Sequence, residues 1–211
     1  MIEPSHEACL LGETPDLSLN RHVSLITSKC FYQLRQLKAV RHCLDADSLR
    51  TLVHAFVSSR VDYCCSLLVG SPRIVTDKLQ RVLNAAARLI TGTRKYDHGL
   101  TELLHDQLHW LDMCDRIKFR VAVFMYNSLN GTALGYLVDM CKFNASSRYN
   151  LRKDRSDKLV IPRTRLRTFC DRAFAVAGPT LWNSLSSSLR DLDLSVSVFK
   201  RSLKTFFFSS Y

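Results

Sequence analysis

The chain has 211 residues, with 30 Lys and Arg against 19 Asp and Glu and a formal net charge of +11. At 46% hydrophobic and 23% charged it is globular material, long enough for one sizeable domain or two small ones, which excludes a disordered basic tail. No run approaches the roughly 18 to 20 consecutive apolar residues of a spanning helix, and the acidic start MIEPSHEACLLGE is unlike a secretory signal. No membrane partner and an intracellular location, nucleus or cytoplasm, are therefore expected.

Residues 1–20, with Gly12 and Pro15, have little periodicity and read as irregular. Residues 21–98 read as a helical domain. In Arg21–Arg41, Val23, Ile26, Phe31, Leu34 and Leu37 recur at near-helical spacing, and Arg35, Lys38 and Arg41 form a short basic row at i, i+3 and i+6. A second pattern puts Leu49, Leu52, Val53, Phe56 and Val57 on one stripe, with Asp45 as N-cap. A third, at 100° per residue, places Val75, Leu79, Val82, Leu83, Ala86, Leu89 and Ile90 on one face and Lys78, Arg81, Asn84 and Arg88 opposite. Pro72 and Asp77 mark its start and Gly92 its end. Facing apolar stripes and a Gly-Ser-Pro link predict that the second and third helices pack as an antiparallel pair.

Residues 99–142 continue helical. Leu100–Leu108 gives a short helix; Asp112 caps a longer one with the stripe Ile117, Val121, Phe124, Met125 and Leu129, which Asn130-Gly131 ends; a further turn lies within Ala133–Cys141. Residues 143–157 read as a basic linker. In 158–211, Arg163, Arg165 and Arg167 alternate with Thr164, Leu166 and Thr168 as one strand of a basic β-hairpin, with Ala173–Ala177 as its partner. Gly178-Pro179 restarts the chain before a short helix that turns Trp182 inward. An amphipathic C-terminal helix follows, marked by Val196, Phe199, Leu203 and Phe206. The expected fold is thus mainly α: a helical bundle, then a smaller α+β region with a basic hairpin and a C-terminal helix.

Chemistry-bearing patterns are sparse. No Asp-Asp pair occurs, although metal-dependent polymerases and nucleases need neighbouring carboxylates for Mg²⁺. His105 and His109 are spaced i, i+4, but a packed His109 beside Trp110 accounts for them better than a metal. The 8 cysteines are scattered without a CxxC pair, and most read as small buried hydrophobes. No phosphate-loop, dinucleotide or nucleophile-elbow motif is present, and the two glycosylation sequons carry no weight without a secretory signal. No catalytic residue, metal or cofactor is assigned. A solvated face is the usual meaning of a basic stripe, but the overall charge favours a polyanionic partner, nucleic acid before an acidic membrane surface.

Five ordered strings, TLVHAFVSSRVDYCCSLL, KLQRVLNAAARLITGTR, LHWLDMCDRIKFRVAVFMYNSLNG, VIPRTRLRTFCDRAFAVAGPTLWNSL and VFKRSLKTFFF, resemble the C-terminal region of reverse transcriptases of LINE-type, Jockey-like non-LTR retrotransposons. The resemblance runs from about Ser18 to the end. In that family a palm with an [FY]-x-Asp-Asp motif carries out RNA-directed DNA synthesis with Mg²⁺, and a helical thumb after it holds the template-primer duplex. The resemblance equates Arg21–Arg94 with the end of the palm and the thumb, and Leu100–Tyr211 with the post-thumb region. It departs at Asp112-Met113, where the family has Pro-Val, and at Cys170, where it has a turn glycine.

The resemblance implies a non-catalytic C-terminal fragment that binds RNA or DNA backbone without sequence preference. Lys78, Arg81, Arg88, Arg94 and Lys95 would act from the thumb, and Arg163, Arg165 and Arg167 from the hairpin. Two other readings are a vestigial helical domain that pairs with a missing palm, itself or another chain, and an enzyme whose palm is encoded upstream of Met1.

Overall fold

A computed structural model of the protein describes residues 19–94, 96–143, 158–164 and 170–211. The described residues are mainly helical, in two compact units. The first holds the residues up to Cys65 and Ser71–Met113; the second holds Ser66–Gly70 and the residues from Cys114 onward.

In the first unit, α1 (Asn20–Val40) is followed by α2 (Ala46–Val53), a π turn (His54–Ser58), α3 (Ser59–Asp62) and α4 (Arg73–Thr91). Asp45 caps α2 as expected, its carboxylate accepting from the backbone N–H groups of Asp47 and Ser48. Gly92 ends α4 in the left-handed region, φ 78°, with its N–H on the Arg88 carbonyl. The α4 core face is buried as its periodicity predicts, from Val75 through Leu79, Val82, Leu83 and Ala86 to Leu89.

The α2 stripe differs. Leu49, Val53, Val57 and Val61 are buried, while Phe56 is 41% exposed. Three steps of four residues should rotate the face of an α-helix by about 120°. The π turn inserts one residue, a phase shift of about 100°, and keeps Val61 in line with Leu49. In α1, buried Cys30 joins Val23, Leu34 and Leu37, whereas Phe31 is only half-buried.

Two contacts set the directions of α1 and α4. Lys78 Nζ, early in α4, donates to Ser24 Oγ early in α1, at 3.1 Å. Arg41, just past α1, lies against Gly92, just past α4. The two helices therefore run parallel. One cavity is lined by Arg50 and His54 together with Ile90, so the first half of the α2–α3 segment meets the end of α4, though α4 makes its more extensive contact with α1. The unit closes with α5 (Leu100–Glu102) and a second π turn (Leu103–Gln107).

In the second unit, α6 (Met113–Leu129) carries Ile117, Val121, Ala122, Met125 and Tyr126 inward; Phe124 is exposed. Asp112 stands directly before it and accepts from Gln80 Nε2 within the first unit. After α7 (Gly135–Asp139), the chain forms one isolated antiparallel bridge, Phe143 with Leu159. Leu159 is also clamped by the Asn183 side chain, which accepts from its N–H at 2.8 Å and donates to its carbonyl at 2.9 Å.

The basic hairpin does not form. Ala173–Ala177, expected as a strand, is instead the cap and opening of α8 (Phe174–Ser184), and the described residues contain no sheet. Alanine is the best helix former, so the short alternation of Ala173, Ala175 and Ala177 loses to helix propensity. Gly178 and Pro179 lie within α8 rather than before it. A Cβ on Gly178 would overlap the Met125 sulfur, so this glycine is fixed by close approach. Thr180 Oγ1 donates to the Val176 carbonyl.

The C-terminal helix, α9 (Val196–Phe208), is capped by Ser195 and buries Phe199, Leu203 and Phe207; Phe206, expected inside, is 39% exposed. Tyr126 stacks on Phe199 with centroids 4.2 Å apart, Trp182 tilts against both, and Tyr126 Oη donates to the Leu194 carbonyl. Tyr211 Oη donates to Asp115, which also pairs with Lys118.

Phe199→Ala should cost about 3–5 kcal/mol in a urea titration and Phe206→Ala about 0.5 kcal/mol, because only the first empties a closed core. Hydrogen bonds from Ser48, its side chain first and its backbone N–H second, hold the Asp45 carboxyl below the usual carboxylate range. The stabilisation this adds to the start of α2 is complete above the ordinary carboxylate pKa and is lost as pH falls through the depressed value. Hydrogen exchange at the Asp47 and Ser48 amides should accelerate in that acid window, and the acceleration should be absent in Asp45→Asn, which caps without titrating.

Candidate nucleic-acid interface

The parallel packing of α1 and α4 brings two basic rows to the sides of one groove of about 1060 Å³ in the first unit. From α1 and the turn after it come Arg35, Lys38 and Arg41; from α4 and its exit come Arg81, Arg88 and Arg94. His42 lies among them, and no carboxylate lines the groove. Phe31, Leu34, Ala85 and Leu89 supply its apolar surface. None of the six cations has a carboxylate within 4 Å among the described residues.

Part of this charge answers the fold itself. The two parallel helices end side by side, and each C-terminus carries about half a negative charge. Together they offset about one of the six positive charges. The remainder forms no side-chain ion pair among the described residues, although the Asp97 carboxylate accepts from the Arg94 backbone N–H at the groove's exit. The Nε of half-buried Arg88 has no hydrogen-bond partner among the described residues. The Arg41 guanidinium lies over Gly92, where a Cβ would come within 2.7 Å of its Nη2.

Of the residues expected to bind, Arg81, Arg88 and Arg94 line the groove. Lys78 does not; it is half-buried and engaged with Ser24. Arg163 is exposed in the second unit, and Lys95, Arg165 and Arg167 lie outside the described residues. Arg35, Lys38 and Arg41 are visible in the sequence as a basic row, but their spacing gives no reason to place them opposite α4.

The histidines are arranged otherwise than expected. His105 is the buried one, its Nδ1 2.9 Å from the Trp110 carbonyl and its Nε2 4.0 Å from Asp112. His109 is exposed beyond the π turn, at φ 51°. Among the described residues no group of three His, Cys, Asp or Glu is placed to hold a metal. Only Cys30 and Cys65 of the seven described cysteines are buried, fewer than expected. Burial pushes the Cys30 thiol up to about 11 against the opposing influence of Arg60, so it stays protonated and unreactive at neutral pH. No helix among the described residues is long and apolar enough to cross a membrane.

Comparison with family models, curated proteins and solved structures finds no match to this chain.

Gly92→Ala should destabilise the protein by about 1–2 kcal/mol in chemical denaturation, because an L side chain is strained at this positive φ and Arg41 must move.

Proposed function

We propose that this protein is a non-catalytic, nucleic-acid-binding C-terminal piece of a LINE-type reverse transcriptase, gripping phosphate backbone through the groove between α1 and α4. The observation that carries the binding role is the groove's lining of six cations and no carboxylate. The five ordered strings support the origin, and these 211 residues contain no Asp-Asp pair of the kind that holds Mg²⁺ in the family's palm.

Backbone recognition of this kind needs no fixed base contact. Lys and Arg neutralise phosphates and release condensed counterions, so affinity is dominated by charge and falls with salt. The groove offers arginine forks to match phosphate oxygens bidentately and a lysine as a point charge. Sequence preference should accordingly be slight.

Titrating the full chain into labelled RNA, DNA and hybrid oligonucleotides over a range of salt should give a steep log-log dependence, each neutralised phosphate contributing about 0.9 on duplex DNA or 0.7 on single strands. Arg81→Gln and Arg88→Gln should each lower that slope by about 1, while Lys78→Gln should lower it less. A flat salt response, or concentration-dependent self-association without nucleic-acid binding, would sink the proposal.

A further inference from the structure

We infer that His42 is a proton-linked phosphate contact of the α1–α4 groove, taking up a proton as nucleic-acid backbone binds. This rests on the proposal that the groove is the nucleic-acid site, and it adds a binding residue whose charge the solution sets.

His42 lies in the turn Arg41–Cys43 that follows α1, where it is exposed and lines the groove. Among the described residues its ring has no hydrogen-bond or ion-pair partner. The charged side chains that line the groove with it are Arg35, Lys38 and Arg41 on its own side and Arg81, Arg88 and Arg94 from α4 and its exit. No carboxylate lines the groove, and that of Asp97, at the exit, is engaged by the Arg94 backbone N–H. An imidazolium at this place therefore shares the groove with six cations and has no anion to pair with.

A bound phosphodiester supplies that anion. A neutral imidazole offers it a single N–H, whereas an imidazolium offers two together with a full charge, so the protonated form binds phosphate better. Linkage is reciprocal: whatever factor protonation adds to backbone affinity, bound backbone adds to proton affinity. Of the side-chain types in the groove only histidine changes its charge near neutral pH. The bound state holds the extra proton, so acidification through the imidazole range drives binding. Each added phosphate contact also steepens the salt dependence, by up to about 0.9 in log-log slope on duplex DNA.

Fluorescence anisotropy on the full chain would follow binding of a labelled blunt DNA duplex between about pH 6 and about pH 8, at several salt concentrations. The duplex carries no terminal phosphates, because those titrate in the same range. Affinity should be about threefold to tenfold higher at the acid end, with a steeper salt slope there. His42→Gln should remove most of both changes, and His42→Lys, which fixes the charge, should bind tightly at both ends. Other histidines also gain charge on acidification, so His54→Gln and His98→Gln, both exposed and outside the groove lining, serve as controls and should respond like the parent. Calorimetry in two buffers of different ionisation enthalpy should register uptake of a fraction of one proton on binding, absent in His42→Gln.

A flat pH response, or one that His42→Gln leaves intact or a control variant lowers equally, would overturn this inference and leave the backbone grip standing. Absence of oligonucleotide binding at every pH would overturn both.

Discussion

Everything proposed for this protein depends on two helices lying parallel. When α1 and α4 pack in the same direction, their apolar seams close the first unit, and the rows Arg35–Lys38–Arg41 and Arg81–Arg88–Arg94 face a common groove. An antiparallel arrangement of the same helices would set the end of one row beside the start of the other helix. Parallel packing also places both carbonyl ends at one end of the groove, where they soften the repulsion among the arginines. Neighbouring like charges at a solvated surface cost on the order of a few tenths of a kcal/mol per pair. The burial of the seam, from Val23 to Leu37 and from Val75 to Leu89, is large enough to impose this crowding.

Sequence periodicity identifies the helices well, and the burial pattern of α4 follows its wheel closely. The capping residues Asp45 and Gly92 act where simple chemistry places them. Partnership is a different matter. A basic row at i, i+3 and i+6 specifies a face of a helix but not what stands across from it, so half of the groove is legible as a row and not as the wall of a site. Lys78 shows the converse: it shares the wheel position of the other cations, yet a single serine on the neighbouring helix claims its ammonium group.

The expected hairpin of the second unit escapes sequence reading for another reason. Alternating small residues around Ala175 carry too little hydrophobic contrast to distinguish strand from helix. Pro179, normally a stop signal, is accommodated in α8, where it is buried beside Gly178. What fixes the unit is aromatic geometry, which no local pattern encodes. Tyr126 is wholly buried because its ring stacks on Phe199 and its hydroxyl finds a backbone carbonyl just before α9. The choice of Phe207 over Phe206 for the interior comes from the i, i+4, i+8 line that Phe199 begins.

The two π turns bear on how relatives of this chain could be sought. The first, at His54–Ser58, marks a point where a helix has taken up one surplus residue without disturbing the turn beyond it, and the second, Leu103–Gln107, ends its helix. A homologue lacking the surplus residue at His54–Ser58 would keep the same interior with a plain α-helix and a sequence one position shorter. Alignment at constant spacing would then slip out of phase within the first unit, pairing buried positions with exposed ones. For this fold, likeness is better measured by which residues face inward than by their separation along the chain.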